Sequence, residues 1–360
     1  MTLYVYDKAL QRAGIVEEIR SLQWLEEYQD AGEAKLVCSA TEKNRALLAD
    51  GNRLYCTEQA ESAIVRQAEL TDDGKDAELT VRAVFSAARW ADRVVMATEQ
   101  IEEAEAGMLA LAEKHRRGLP GATAAAKGLA VPVDTQATWS GVLEAWQTLA
   151  KASGLGFREI FAPETGVETF EVYKGTDRTQ GDAYRGYFGD DIDNLTDIRI
   201  VQGSDGWKNC AIVGGEGEGA QRKIVTVSLG TYTGDDLREL WVDAKDIGRK
   251  YQIAAPDGSG GYTYTDATYT EEEYAAVLAA RGLEKLAECL QTLEVDATIG
   301  QGLMQYGRDY AMGDIIPLKL TRYGLRLSAR VSSVRTIYES TGRRVTAVLS
   351  DFELTKEVSG

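Results

Sequence analysis

Residues 270–354 place one helix directly ahead of a series of strands, and this order constrains the fold more than any other feature. Thr270 and the three glutamates after it form a helix-start signal, because a threonine oxygen and early carboxylates satisfy the free amides of a first turn. The predicted helix spans residues 271–291, and predicted strands follow at 293–298, 315–321, 325–337 and 345–354. The pattern predicts a helix that leads into an antiparallel, barrel-like sheet.

Three longer helices are predicted from apolar residues that recur every three or four positions. In residues 271–291 the apolar face consists of Tyr274, Val277, Leu278, Leu286 and Leu290. In residues 139–152 it consists of Trp139, Val142, Leu143, Trp146, Leu149 and Ala150, and Gly154 ends the helix. Residues 99–117 end in Lys114–Arg117, and these cations suit the negative pole of a helix.

Most of the other predicted elements are strands. A short helix at 41–49 interrupts the first group, since Ser39–Glu42 matches a capping box and Gly51 can end the helix. Strands are predicted at 3–5, 14–19, 34–38, 52–56, 62–70, 78–85, 157–161, 169–173, 195–202, 209–213, 224–229 and 240–243. Residues 256–266 are predicted to form a polar loop.

This order of elements predicts an α+β, mainly β fold with two barrel-like antiparallel domains and an α/β insertion between them. Residues 1–85 are the first barrel-like segment and 86–180 the insertion. Residues 181–269 are a second strand-rich barrel segment. Residues 270–360 supply a helix and the C-terminal strands that complete the barrels.

Composition excludes several classes of protein. The formal net charge is −17, and no basic run provides the positive footprint that duplex binding needs. No stretch of about 18 apolar residues is present, so no membrane-spanning segment is expected. The first twelve residues lack the basic and apolar regions of a signal peptide.

The cysteines and the single histidine do not suggest a metal site. The cysteines form no C-x-x-C pair and are expected to be free thiols; they are Cys38, Cys56, Cys210 and Cys289. His115 lies among Lys114, Arg116 and Arg117, whereas a general base usually needs a carboxylate partner and a pocket. We therefore interpret it as a solvated helix end.

The segment Gly215–Ala220 formally matches the dinucleotide fingerprint G-x-G-x-x-A. A phosphate loop needs a strand before it and a helix start after it, so that free amides point at the anion. Here the following residues, 221–229, have a strand pattern, and Glu216 and Glu218 would repel phosphate. We therefore interpret the segment as a flexible hairpin loop that binds no nucleotide.

Other polar residues resemble parts of catalytic or metal sites. Glu102, Glu103, Glu105 and Glu271–Glu273 are interpreted as solvated helix faces and first-turn carboxylates, not as a glycosidase pair. The acidic run Asp190–Asn194 resembles a calcium-loop fragment but lacks the distal glutamate, so an acidic turn is favoured and weak calcium binding is the alternative. Ser86 and Ser140 lack a nucleophile elbow.

Six tryptophans could stack on carbohydrate, but their scatter along the chain favours packing in cores or subunit interfaces. They are Trp24, Trp90, Trp139, Trp146, Trp207 and Trp241. The sequence thus predicts no catalytic, cofactor-binding or metal-binding residues.

Several segments, in their order and spacing, resemble the siphophage tail hub family, which is similar to the N-terminal part of tail-associated lysins and to the baseplate hub of contractile tails. The segments are 3–56, Trp139–Phe157, Phe170–Thr179, Asn194–Gly219 with Arg222, Leu240–Asp243 with Asp246–Ile247, Tyr310–Asp314 and Val345–Phe352. Residues 86–138 are the least similar to the family.

The resemblance implies a structural role in a virion tail. Three copies would form a ring that joins the tail tube or distal tail protein to the tip and lines the DNA channel. Implied partners are the distal tail protein, the tape-measure protein and tip or receptor-binding proteins. DNA would pass through the lumen without specific binding, which an acidic chain would favour.

The alternative function is a tail-associated hydrolase that acts on cell-wall glycan or peptide. The lysin-type relatives carry a C-terminal extension, whereas this sequence stops at Gly360, and we therefore expect no enzymatic activity. The residues leave open whether the source is a phage, a prophage or a phage-derived particle.

Overall fold

A computed structural model describes residues 1–256, 262–289, 292–299 and 303–354. These residues form a mainly β structure with several sheets, which confirms the predicted fold class. Among the described strands no sheet closes into a barrel, so the two barrel-like domains stay a prediction.

The first sheet is built by the N-terminal part of the chain. Its elements are β1 Leu3–Tyr6, β2 Arg12–Ile15, β3 Ile19–Glu27, β4 Glu33–Ser39, α1 Glu42–Leu47, β5 Arg53–Cys56, β6 Ser62–Asp72 and β7 Ala77–Phe85. The strands pair antiparallel in the order β3-β4-β7-β6-β5-β1-β2. Alternate residues of β4 are buried, as expected for a strand with one face on a core.

An α/β insertion follows the first sheet. Its elements are β8 Glu99–Glu103, α2 Ala104–His115, β9 Ala122–Thr123, β10 Pro132–Ala137, α3 Val142–Ser153, β11 Gly156–Ala162 and β12 Val167–Tyr173. Two small sheets, β8 with β10 and β9 with the hairpin β11–β12, accompany the two helices. Trp90, Trp146, Phe157 and Phe170 are fully buried in its core.

The described residues between 201 and 293 form a compact unit of their own. The segment β13 Phe188–Gly189 and the strand β14 Leu195–Gly203 lead to it. It contains β15 Cys210–Gly214, β16 Ile224–Ser228, β17 Glu239–Asp243, β18 Lys250–Pro256, β19 Tyr262–Thr268 and α4 Glu271–Ala287. Ala211, Val213, Tyr274 and Leu278 belong to its core, so α4 covers one face of the sheet β16-β15-β17.

The C-terminal strands join the N-terminal sheet. They are β20 Thr292–Ile299, β21 Ile315–Leu320, β22 Leu325–Glu339 and β23 Gly342–Leu354. The long strand β22 pairs with β23 along one edge and with β21 and β3 along the other. Pairing of Ser333–Glu339 with Ser21–Glu27 connects residues some 300 positions apart in sequence, so both ends of the chain build one sheet.

Two predicted helix starts were wrong. The helix predicted at 99–117 begins as α2 at Ala104, because Glu99–Glu103 pair with β10 and the Glu103 carboxylate accepts from the amides of Glu105 and Ala106. The helix predicted at 139–152 begins as α3 at Val142, after the N-cap Gly141. Trp139 lies outside α3 with φ 47° and is 70% exposed, so its predicted place on the buried helix face was wrong.

The predicted capping box at Ser39 was also wrong. Ser39 ends β4, and the Thr41 hydroxyl caps α1 by accepting from the Asn44 amide at 3.1 Å. By contrast, Thr270 and Glu273 form the capping box of α4, which ends at Ala287. Leu290 and residues 257–261 of the predicted polar loop lie outside the described residues.

The predicted division into four segments stays a prediction. The structure groups the described residues into two units, one between 201 and 293 and the other made of the rest. Among the described helices none is long and apolar enough to cross a membrane.

Candidate functional site

Two segments that carry the family resemblance, 170–179 and 310–314, meet around the buried carboxylate of Asp314. Its Oδ1 accepts from the Thr176 amide at 2.7 Å, and its Oδ2 accepts from the Ala311 amide at 2.8 Å. The same carboxylate forms an ion pair with Arg178. We call this arrangement the Asp314 junction, and it attaches the end of the insertion to the start of β21.

Glycines make the close approach at the Asp314 junction possible. A Cβ added to Gly175 would lie 1.9 Å from the carbonyl oxygen of Gly313, a distance that atoms do not adopt. Gly313 has φ 83°, and a Cβ there would meet the ring of Tyr28 at 2.2 Å. Both positions therefore require glycine for packing, and Gly313 requires it also for its backbone conformation.

Tyr28 links the junction to the first sheet. It follows β3, is buried, and its hydroxyl donates to the carbonyl of Gly154 at 3.1 Å and accepts from the Gly175 amide at 3.2 Å. The guanidinium of Arg330 lies 5.3 Å from the centre of its ring. One side chain thus contacts the N-terminal sheet, the insertion and the C-terminal strands.

A second buried arrangement, the Glu168 cluster, joins the insertion to the first sheet. Glu168 is fully buried and accepts from Arg53 Nε at 3.2 Å and Ser62 Oγ at 2.8 Å. It also accepts from Ser86 and forms an ion pair with Arg89. Arg89 reaches Glu159 at 3.0 Å, and the Trp90 indole donates to the same oxygen at 3.0 Å.

The pKa values of the two carboxylates in this cluster are shifted in opposite directions. Burial alone would raise the pKa of Glu168, but Arg89 and Arg53 outweigh it and hold that pKa below its usual value. Burial dominates at Glu159 and raises its pKa, although Arg89 opposes the shift. Both side chains are at most 1% exposed, so neither can contact a substrate, and the cluster acts as an internal clamp.

A third arrangement, the Glu26 cluster, contains buried carboxyl and phenol groups. Glu26 Oε1 accepts from the Tyr306 hydroxyl at 3.1 Å, and Glu26 Oε2 has no hydrogen-bond partner among the described residues. Burial raises the pKa of Glu26 to about 7. Burial, reinforced by the nearby Glu26, also holds the pKa of Glu61 well above its usual value, and Arg158 opposes both shifts.

The glycine-rich segment Gly215–Ala220 connects two antiparallel strands, β15 and β16. A strand and not a long helix follows it, so its amides are not arranged at a helix start. Glu216 accepts from the Arg249 amide at 2.8 Å, and its own amide donates to the Tyr274 hydroxyl at 2.7 Å. The hairpin interpretation agrees with this geometry, and the absence of nucleotide binding stays a prediction.

His115 is not a solvated helix end, so that prediction was wrong. It ends α2 but is only 6% exposed, and Glu99 of β8 lies 4.0 Å from its Nε2. Burial lowers the pKa of His115. The sequence could not show the neighbouring Glu99, because the helix prediction had absorbed β8.

The structure agrees with some of the predicted carboxylate roles and contradicts one of them. Glu102 is exposed, as expected, whereas Glu105 is only 2% exposed and accepts from the Leu129 amide at 2.7 Å, so its predicted solvation was wrong. Glu103 accepts from the amides of the first turn of α2. Glu271, in the first turn of α4, pairs with Lys223 at 3.2 Å and with Arg249.

The acidic run Asp190–Asn194 forms a turn whose oxygens face hydrogen-bond donors. Asp190 accepts from the amides of Thr321 at 2.7 Å and Arg322 at 3.0 Å. Asp191 pairs with Lys319, and Asn194 accepts from the Gly189 amide at 2.9 Å. These contacts favour the interpretation as an acidic turn over a calcium loop, and no cluster of metal-ligating side chains occurs among the described residues.

The remaining candidates have ordinary structural positions. Cys38, Cys56 and Cys210 are buried free thiols, and Cys289 is partly buried and also free. Ser86 belongs to the Glu168 cluster, and Ser140 precedes α3. Trp24, Trp90 and Trp146 lie in cores, whereas Trp139 and Trp241 are more than half exposed.

Comparison with known proteins gives the family. The family model described as Siphovirus ReqiPepy6 Gp37-like protein matches residues 2–349. The chain belongs to this family. No curated protein has significant sequence similarity to the chain. The resemblance to siphophage tail proteins that the sequence segments indicated is therefore confirmed.

Solved structures of phage tail proteins share the fold of this family member. The tail protein from Neisseria meningitidis MC58 has 13% identity and a TM-score of 0.60, covering 97% of this chain and 96% of its own. The 43 kDa tail protein of prophage MuSo2 from Shewanella oneidensis has 11% identity and a TM-score of 0.60, covering 97% and 98%. Prophage tail protein gp18 from Listeria monocytogenes EGD-e has 11% identity and a TM-score of 0.55, covering 100% and 97%.

At these identities the solved structures show the fold, while the family match identifies the kind of protein. This member of the siphovirus family is a structural phage tail protein and a component of the virion tail. The Asp314 junction and the Glu168 cluster are the internal contacts that hold its sheets and insertion together.

Proposed function

We propose that the protein is the hub at the tip of the tail, where three copies form a ring. The observation that supports this most strongly is that tail-protein structures match its fold over nearly the whole chain. The ring would join the tail tube or distal tail protein to the tip and line the DNA channel. The distal tail, tape-measure and receptor-binding proteins would be its neighbours.

The charge of the chain supports a channel role. With a formal charge of −17 per copy, the lumen of a ring would repel the DNA backbone and allow it to slide. A closed ring also suits this function because head-to-tail contacts that do not close would polymerise.

We propose that the hub itself is not an enzyme. Glu159 and Glu168, which both form ion pairs with Arg89 in the interior, are inaccessible to substrate. Their role is to support the fold, and no observation on the described residues favours a hydrolase.

The ring is tested by measuring the mass of the purified protein and imaging it by electron microscopy, alone and with its distal tail partner. A closed trimer is expected. Antibody labelling of intact virions should place the protein at the tail tip. A particle that stays monomeric alone and with its partner would contradict the hub, and digestion of purified cell wall by the protein would contradict the non-enzymatic role.

A further inference from the structure

A small exposed patch of large apolar side chains lies between β7 and α3. Trp139 is 70% exposed, Met96 57% and Val94 42%. Val94 pairs with Gly141 in an antiparallel bridge, which brings residues 94–96 beside Trp139. We call these three residues, with Arg93 and Arg117, the Trp139 patch.

Backbone hydrogen bonds hold the patch in place. The Trp139 amide donates to the Val95 carbonyl at 3.0 Å, the Val95 amide to Ser140 at 2.9 Å, and the Val142 amide to Arg93 at 2.8 Å. Val95 itself is fully buried, so its neighbours on either side must face outward. Trp139 has φ 47°, an unfavourable conformation for a large side chain, and the surrounding contacts therefore maintain an exposed indole at a cost.

Two cations border the patch. Arg117 Nη1 donates to the Val94 carbonyl at 3.1 Å, and Arg93 Nε donates to the Arg116 carbonyl at 3.4 Å. Within the described part of the chain neither guanidinium forms an ion pair with a carboxylate. An exposed tryptophan beside a methionine and two such arginines has the composition of a binding hot spot for an acidic surface.

The chain carries a complementary surface on the hairpin formed by β6 and β7. Residues 66–78, here called the acidic arm, include β6 from Arg66 onward, and all residues from 66 to 76 are exposed. Leu70, which is 49% exposed, lies among acidic residues. They are Glu69, Asp72, Asp73, Asp76 and Glu78.

Some acidic side chains of the arm form ion pairs within the same copy, and others do not. Asp76 and Glu78 pair with Arg20 at 2.6 and 3.0 Å. Glu69, Asp72 and Asp73 form no ion pair with any described residue. β5 pairs with β6 only at Ser62–Ile64, so among the described strands β6 from Arg66 onward pairs with β7 alone, whereas Glu78 of β7 also pairs with Ser39 of β4.

Ladder pairing holds the arm in the sheet of its own copy. Arg66, at its base, lies 3.8 Å from Asp92, which immediately precedes Arg93. From there β6 pairs with β7 in a regular ladder from Gln67 to Asp72, so the tip extends about 20 Å away at about 3.3 Å per residue. The ladder keeps the tip of the arm at this distance from its base at Arg66.

We propose that the acidic arm of one copy docks on the Trp139 patch of the next copy. Leu70 and Asp72 lie on one face of β6, so Leu70 would pack against Trp139 and Met96 while Asp72, with Asp73 of the turn, would face Arg93 and Arg117. This contact joins different surfaces of two identical chains, and such head-to-tail contacts form a ring where the rotation between copies closes. The inference rests on the proposed ring and identifies one of its interfaces.

Self-association of the full-length protein tests the contact, measured by sedimentation equilibrium. Trp139→Ser is expected to raise the apparent dissociation constant at least about tenfold, as loss of a hot-spot residue does. Trp241→Ser removes another exposed tryptophan, 53% exposed in the other unit, and is expected to leave self-association unchanged. Equal circular dichroism spectra and melting temperatures would show that both variants fold.

Charge reversal provides the more specific test. Arg93→Glu with Arg117→Glu, or Asp72→Lys with Asp73→Lys, should each weaken association at least tenfold because like charges then face each other. Combining all four substitutions should restore association to within about threefold of the original protein. Asp235→Lys with Asp236→Lys reverses an exposed aspartate pair in the other unit and is the control.

The outcomes separate this inference from the proposed function. If the protein forms trimers and the patch and arm variants form them equally well, the docking contact is wrong and the ring remains. If patch variants lose only binding to the distal tail protein, the occupant is that protein and the inference is also wrong. If the unaltered protein stays monomeric with and without its tail partner, both the ring and the contact are contradicted.

Discussion

At the scale of single residues, buried charged side chains are stable only with partners that compensate their charge. Glu168 is surrounded by Arg53, Arg89 and two serine hydroxyls, so its charge is compensated in the interior. Removing one partner of such a group leaves the others buried without compensation, which costs more than the pair itself contributes.

Glu168→Ala should therefore lower the free energy of unfolding by about 3–5 kcal/mol, because Arg53 and Arg89 would remain buried without this carboxylate. Urea denaturation followed by circular dichroism measures the change. Glu102→Ala, at an exposed position, is the matched control and should change stability by less than about 0.5 kcal/mol. Similar effects of both substitutions would contradict the clamp role.

The raised pKa of the Glu26 carboxyl predicts that the free energy of unfolding depends on pH. Its pKa in the folded protein is about 7, against 4.5 as the reference value, so the folded state binds the proton more tightly than the unfolded state. Its contribution to stability should therefore be greatest below about pH 4.5 and should be lost as the pH rises through about 7.

The pKa values of other groups, including His115 and Glu168, are lowered in the folded protein, so their contribution to stability rises with pH. The measurement must therefore compare Glu26→Gln with the original protein. The glutamine variant mimics the protonated carboxyl, and its relative stability should increase between about pH 4.5 and 7. A stability difference that does not change across this pH range would show that Glu26 has an ordinary pKa.

At the scale of elements, close backbone contacts join parts of the chain that are far apart in sequence. The strands β3 and β22 pair across the two ends of the chain. The segment after β12 lies against the start of β21 through Gly175 and Gly313. These contacts, together with Tyr28, fix the insertion against the sheet that both ends of the chain build.

Gly175→Ala should be strongly destabilising, because the added Cβ would meet the Gly313 carbonyl oxygen at 1.9 Å and only backbone movement could relieve the clash. We expect a loss of more than about 3 kcal/mol and a clear drop in the melting temperature. Gly206→Ala places a Cβ in open space and should have little effect. A melting temperature for Gly175→Ala equal to that of the control would contradict the close approach.

At the scale of the whole molecule, the protein consists of two units with separate cores. Tyr274 is fully buried in the core of the unit between residues 201 and 293, where its hydroxyl also donates to the Ile247 carbonyl at 2.7 Å. The core around Trp90 and Trp146 belongs to the other unit. Separate cores allow separate opening reactions.

Tyr274→Ala should therefore increase hydrogen exchange within residues 201–293 and leave exchange around α2 and α3 nearly unchanged. The expected local loss is about 3–5 kcal/mol, as for other large buried side chains. Mass spectrometry of exchanged peptides measures both regions in one experiment. Tyr323→Ala removes an exposed tyrosine and is the control. Faster exchange in both units would show that they unfold together.

The sequence by itself determined the features that depend on neighbouring residues. The capping box at Thr270, the alternation of β4 and the hairpin at Gly215–Ala220 follow from local patterns. Such patterns act over a few residues, where side-chain spacing fixes which face is buried. They were sufficient for the mainly β class, and the order of segments indicated the family.

Tertiary structure decided which polar and aromatic side chains are buried. Arg53 and Glu168 are 115 residues apart in sequence, and nothing near either residue indicates the other. The local pattern placed Trp139 on a buried helix face, but pairing of residues 94–96 with 139–141 turned it outward. The same pattern left His115 in solvent, whereas the folded protein buries it with Glu99 of β8 beside it. Burial depends on distant neighbours, and a periodic pattern contains no information about them.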